Sequence, residues 1–189
     1  MRIKSVLVVA SFALVVGPLG CAVQAQEETG DVGDTTSEAL TVGCDLSRAE
    51  ILGSVGAARA EAIRRGFTWY DARVPYSQTH SHAGYRTDCS GFVSMAWNLG
   101  QSFSTADFST GGGESARLAS YNSLVPADAL VRRSNGEGHI VLFVGWNDTA
   151  HTAACVIEQE STALDMQFHA RTTASLKSSG YHAIRADEF

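Results

Sequence analysis

The segment Ile140 to Trp146 constrains this chain more than any other. It is nearly all apolar, and β-branched and aromatic residues dominate it. A strand that lacks polar alternation is covered on both faces, so this one must lie centrally in a sheet. Upstream of it the apolar period is helical. Ser47 and Glu50 form a capping box, and Ile51, Leu52, Val55, Ala58, Ala62 and Ile63 recur at helical spacing up to Gly66, read as the helix stop. Residues 67–88 read as a long loop. Cys89 to Leu99 reads as a short helix with Phe92, Val93, Ala96 and Trp97 on one face, stopped by Gly100. Residues 101–123, rich in Ser, Thr and Gly, read as a surface excursion. From Asp128 onward the period is that of strands: 128–133, then turn material at 134–138, the central strand, 153–158, 164–169 and 181–185. Helices first and adjacent strands afterwards predict an α+β domain with an antiparallel sheet.

The 189 residues allow one domain with a tail. The formal charge of −6 leaves no basic excess for phosphates, which argues against nucleic acid as a partner. Arg2 and Lys4 precede an apolar run at residues 6–16, too short to span a bilayer. Val23-Gln24-Ala25 offers small residues where a signal peptidase reads, so residues 1–25 are expected to be a signal peptide. A cut before Cys21 would instead give a lipid-anchored protein. Either way no integral membrane segment is expected in the mature chain, which would be secreted or periplasmic. Residues 26–43 hold five acids and no Lys or Arg and read as a solvated acidic linker, leaving 44–189 as the folded domain.

The chemistry centres on Cys89. At the start of a helix, unpaired N–H groups and the positive end of the dipole favour thiolate over thiol. Asp88 is placed to cap the helix, Ser90 and Gly91 keep its first turn slim, and the Cys89 N–H is a candidate oxyanion donor. The plain alternative is an inert buried cysteine. His139 opens the central strand directly after Gly138, where an imidazole can take the thiol proton and return it to a leaving amine. Taken alone it would equally be a hairpin histidine in solvent. If the next strand pairs antiparallel, its end lies near His139, so Glu158 can orient the ring; Gln159 and Glu160 are the neighbouring alternatives. His80-Ser81-His82 lacks a second cluster and reads as exposed loop, so no metal is assigned. His151, His169 and His182 are scattered and carry no assignment.

Asp88-Cys89-Ser90-Gly91-Phe92-Val93, followed by Gly138-His139-Ile140-Val141-Leu142-Phe143-Val144-Gly145, resembles the NlpC-type family of cell-wall cysteine peptidases. Leu124-Val125-Pro126-Ala127-Asp128 resembles that family's L-x-P-G-D turn, with Ala127 in place of glycine, and Val74-Pro75-Tyr76 resembles the segment that sets a tyrosine beside the nucleophile. The resemblance covers roughly residues 74–160. It implies a papain-like fold and hydrolysis of amide bonds in peptidoglycan stem peptides without a cofactor. Cys89 would be the nucleophile, His139 the base and Glu158 the third polar residue, with Tyr76, Asp88 and Ser90 as substrate contacts. Two departures stand out: Ser77-Gln78-Thr79-His80 where glycines are usual, and Glu where His, Asn or Gln is usual. Other expectations are an amidase or acyltransferase on a non-wall substrate, or a degenerate module that binds wall peptides. A monomer is expected.

Cleavage after Ala25 leaves Cys44, Cys89 and Cys155 in an oxidising compartment. Of the three pairings, only Cys44–Cys155 spares the nucleophile of a hydrolase. Cys155 lies three residues before Glu158, so the bridge is expected on the opposite face of the sheet from it. The alternative is two separately buried thiols.

Overall fold

The computed structural model describes residues 43–189. The expected signal peptide and nearly all of the acidic linker, residues 26–42, lie outside the described residues. Ser47 caps α1 (Arg48–Gly53) with the expected capping box. The helical pattern then breaks once. Gly53 and Gly56 are poor helix formers, and Gly56 becomes the N-cap of α2 (Ala57–Ala72). Gly66 is not a stop. It lies mid-helix, where a Cβ would meet the Leu142 side chain at 3.1 Å, so the missing side chain brings α2 close to the sheet. Residues 67–72 are therefore helical and not loop. A two-residue hairpin follows, β1 (Ser81–His82) and β2 (Tyr85–Arg86), and leads into α3 (Cys89–Ala96).

The expected surface excursion carries structure of its own: α4 (Thr105–Ser109), β3 (Ser115–Arg117) and a 3-10 turn at Tyr121–Ser123. Then come β4 (Ala129–Ser134), β5 (Glu137–Trp146), β6 (Ala153–Gln159), β7 (Met166–Thr172), the unforeseen α5 (Thr173–Ser178) and β8 (His182–Ala186). The six longer-range strands form one antiparallel sheet in the order β3-β8-β4-β5-β6-β7. The fold is thus mixed helix and antiparallel sheet, and β5 is interior to it. Among the described residues no helix is long and apolar enough to cross a membrane.

Both faces of the sheet are buried, which explains the uninterrupted apolar run of β5. Ile140, Leu142 and Val144 pack with α2 and α3, while Val141 and Phe143 pack with Leu176 of α5 and Tyr181. The β4–β5 turn is Asn135-Gly136 with φ of 51° and 87°, the pair of positive values that a tight type I′ hairpin needs. That turn sets the register, with Arg132 opposite His139.

Two further contacts hold the layers. The Cys44–Cys155 disulfide forms, with Cα atoms 5.4 Å apart, and ties the start of the domain to β6. Closing so long a loop in the unfolded chain contributes about 4–5 kcal/mol. The fully buried Asp128 accepts from Arg59 of α2 at 2.9 Å, from the Arg185 fork of β8 at 2.9 and 2.7 Å, and from the Val125 N–H at 2.8 Å. Beside it Ala127 sits at φ 79°, a left-handed conformation that favours glycine.

Candidate active site

Asp88 accepts the Gly91 N–H at 2.7 Å and caps α3, which begins at Cys89. Asp88 also takes Arg86 Nε at 2.5 Å. Arg86 donates further to Ser90 Oγ at 3.0 Å and to the Phe103 carbonyl at 3.1 Å. The β2–α3 corner is therefore rigid. Gly91 is required for it, because a Cβ there would collide with the Arg86 carbonyl. The Cys89 N–H is one of the four that a helix start leaves without an intrahelical acceptor.

Cys89 belongs to the helix-side core, and 5% of it is exposed. His139 lies on the other face of the sheet, packed edge-on against Tyr181 at 6.5 Å between centroids. The two meet at the turn end of β5, in one cleft of about 440 Å³ that Tyr76, Asp88, Arg132 and Glu160 also line. His139 Nε2 donates to Glu158 Oε2 at 2.6 Å, which leaves Nδ1 as the ring nitrogen that can serve the Cys89 thiol, the two residues lining the same cleft. Burial of the ring works against the imidazolium. The hydrogen bonds to Cys89 and Glu158 and the charge of Glu158 outweigh it and hold the His139 pKa well above its ordinary value. Burial likewise opposes ionisation of Glu158. Hydrogen bonds from His139 and His169, with the charges of His139 and Arg171, hold its carboxyl well below the usual range.

No protein-family model matches the chain, and no curated protein matches it.

Each residue singled out by sequence has a definite place. His139 bonds Glu158 directly and shares the cleft with Cys89. Gln159 does not reach the histidine: its amide donates to the Val74 carbonyl at 2.7 Å on the helix side. Glu160 lines the cleft and accepts from Arg171 at 3.3 Å. Tyr76 borders the cleft; its backbone N–H donates to Asp165 at 2.8 Å and its hydroxyl accepts from Gln78 at 3.3 Å. Asp88 reaches the cleft wall, with its carboxylate engaged by the cap and Arg86. Ser90 is buried, and its hydroxyl is engaged by Arg86 and Asp88. His80 and His82 are exposed, and His82 packs edge-on against the buried Trp69.

Sequence reasoning missed His169 and Arg171. Their signal lay in the alternation of β7, where Gln167, His169 and Arg171 form a polar stripe on one face beside the strand that carries Glu158. Glu158, Glu160 and His169 also offer atoms within 4.8 Å of one another, a spacing at which such groups can ligate a cation. The Arg171 guanidinium already fills that role, donating to both carboxylates.

Proposed function

We propose that the protein is a thiol hydrolase that cleaves amide bonds in peptidoglycan stem peptides, outside the cytoplasm, as an NlpC-type domain of papain-like fold. The observation that carries this reading is that Cys89 at a helix start and His139 near a strand start line one open cleft, with the buried Glu158 bonded to His139 behind it. A ring kept protonated beside Cys89 is the partner that a thiolate requires. The sulfur attacks the substrate carbonyl, and the Cys89 N–H faces the oxygen on which charge develops. The tetrahedral intermediate collapses as the imidazolium gives its proton to the departing amine. The now neutral ring takes a proton from water, whose oxygen attacks the thioester, and the acid product leaves with the thiol regenerated. Glu158 holds the ring in place throughout.

The amide specificity rests on the family resemblance of Asp88-Cys89-Ser90-Gly91 and Gly138-His139, and the disulfide fits an oxidising compartment. Digestion of purified peptidoglycan, with fragments identified by mass spectrometry, tests the reading. The expected result is new amine and carboxyl ends within stem peptides, absent with Cys89→Ala. Fragments released equally by Cys89→Ala would refute it.

A further inference from the structure

Glu158 takes more donors than the orientation of one imidazole requires. Oε2 accepts from His139 Nε2 at 2.6 Å and Arg171 Nη2 at 2.8 Å. Oε1 accepts from His169 Nε2 at 2.5 Å and Arg171 Nε at 2.6 Å. A carboxylate offers about four lone-pair sites, so all are filled. We propose that His169 and Arg171 are positioning residues: they clamp the Glu158 carboxylate in one plane and thereby fix the ring of His139. The inference rests on the hydrolase reading for its catalytic consequence, though not for the clamp itself.

The sheet builds the clamp directly. Gln167 lies opposite Glu158, His169 opposite Val156 and Arg171 opposite Ala154, so all three share the face of Glu158. His169 is the diagonal neighbour, while the long arm of Arg171 runs back along the strands and is steadied by Glu160 at 3.3 Å. His169 is not a wall of the cleft that holds Cys89. It touches the reacting groups only through Glu158.

Arg171 also sets the charge that His139 meets. Its guanidinium offsets the carboxylate, so the ring faces a partly neutralised partner. A bare carboxylate would hold the imidazolium proton more tightly and make it harder to hand to a leaving amine. The other groups facing His139 are Cys89 from α3, Tyr181 ahead of β8, and Arg132 from β4, whose guanidinium lies 5.6 Å from the Tyr181 ring centroid.

The test combines an NMR titration of the His139 ring with kcat and KM on muropeptides, in the full chain. Arg171→Met should raise the His139 midpoint by about one pH unit and lower kcat by about tenfold with KM little changed. Arg171→Lys keeps the charge without the fork, so the midpoint should stay nearer wild type while kcat still falls. His169→Phe should lower kcat, and His169→Gln, which restores a donor to Oε1, should recover most of it. Arg171→Met and His169→Phe that fold with wild-type midpoint and kcat would overturn the clamp. If Arg171→Met fails to fold, Arg171→Lys and the Phe/Gln pair at His169 decide in the same way. Absence of hydrolysis by the wild type would sink the hydrolase reading alone, because the midpoints are read without substrate.

Discussion

Asp128 and Glu158 are both fully buried carboxylates, and each is gripped by an arginine fork from a neighbouring strand: Arg185 for Asp128, Arg171 for Glu158. They differ in what fills the remaining lone pairs. Asp128 takes Arg59 and a backbone N–H, neither of which changes charge in the working range of pH. Glu158 takes two imidazoles, one of which also meets a thiol in an open cleft. The first arrangement ties a helix, a turn and a strand together. On the proposed function, the second keeps a proton ready to move. On that same reading, burial and an arginine partner do not by themselves mark a functional carboxylate; titratable partners beside an open cleft do.

The contrast breaks first at the proposed nucleophile. Cys89→Ala and His139→Ala should each lower turnover by about 1,000-fold or more, and the double variant should cost little beyond either, because the two act as one unit. Additive losses would separate them. The next largest effect belongs to Asp128. Asp128→Ala leaves Arg59 and Arg185 without their shared partner and should cost about 3–5 kcal/mol in urea unfolding. The protein that remains folded should keep its activity, since Asp128 does not line the cleft. Glu158→Gln should show the reverse, with turnover about 10- to 100-fold lower and a smaller loss of stability.

The pH dependence of stability sharpens the comparison further. Glu158 has a folded pKa below its unfolded value of about 4.3, so its contribution is present above that pH and lost as pH falls through the folded value. His139 has a folded pKa above its unfolded value of about 6.5, so its contribution is complete below that pH and lost as pH rises through the folded value. Their joint contribution is a plateau between about pH 4.3 and 6.5 that declines on both sides. Urea midpoints across pH should show both declines flattened in Glu158→Gln; unchanged curves would separate Glu158 from His139. The smallest effect is expected at Ala127. With φ of 79°, Ala127→Gly should stabilise by up to about 1 kcal/mol, and a loss on urea unfolding would show that the methyl packing outweighs the backbone strain.

Local chemistry made much of this legible in advance. Ser47 with Glu50, Asp88 before Cys89, and the apolar run of β5 each announce their element through a nearby partner or an unmistakable period. Glu158 was legible because antiparallel strands bring the end of one beside the start of the next. The Cys44–Cys155 pairing followed on the condition that the chain is a hydrolase, because the other two pairings would consume Cys89. Gly66 was misread because close approach to Leu142 looks in sequence like a helix stop. His169 and Arg171 were invisible because their value depends on the register of β7 against β6, which no local pattern sets.

The central claim is that Cys89, His139 and Glu158 form one proton-holding unit. An NMR titration of the His139 ring in the wild type and in Cys89→Ala tests it most directly. The imidazolium should persist well above pH 6.5 in the wild type, and its midpoint should fall when the thiol is removed, since Cys89 is one of the groups that raise it. A ring that titrates at its ordinary value, indifferent to Cys89→Ala, would contradict the account.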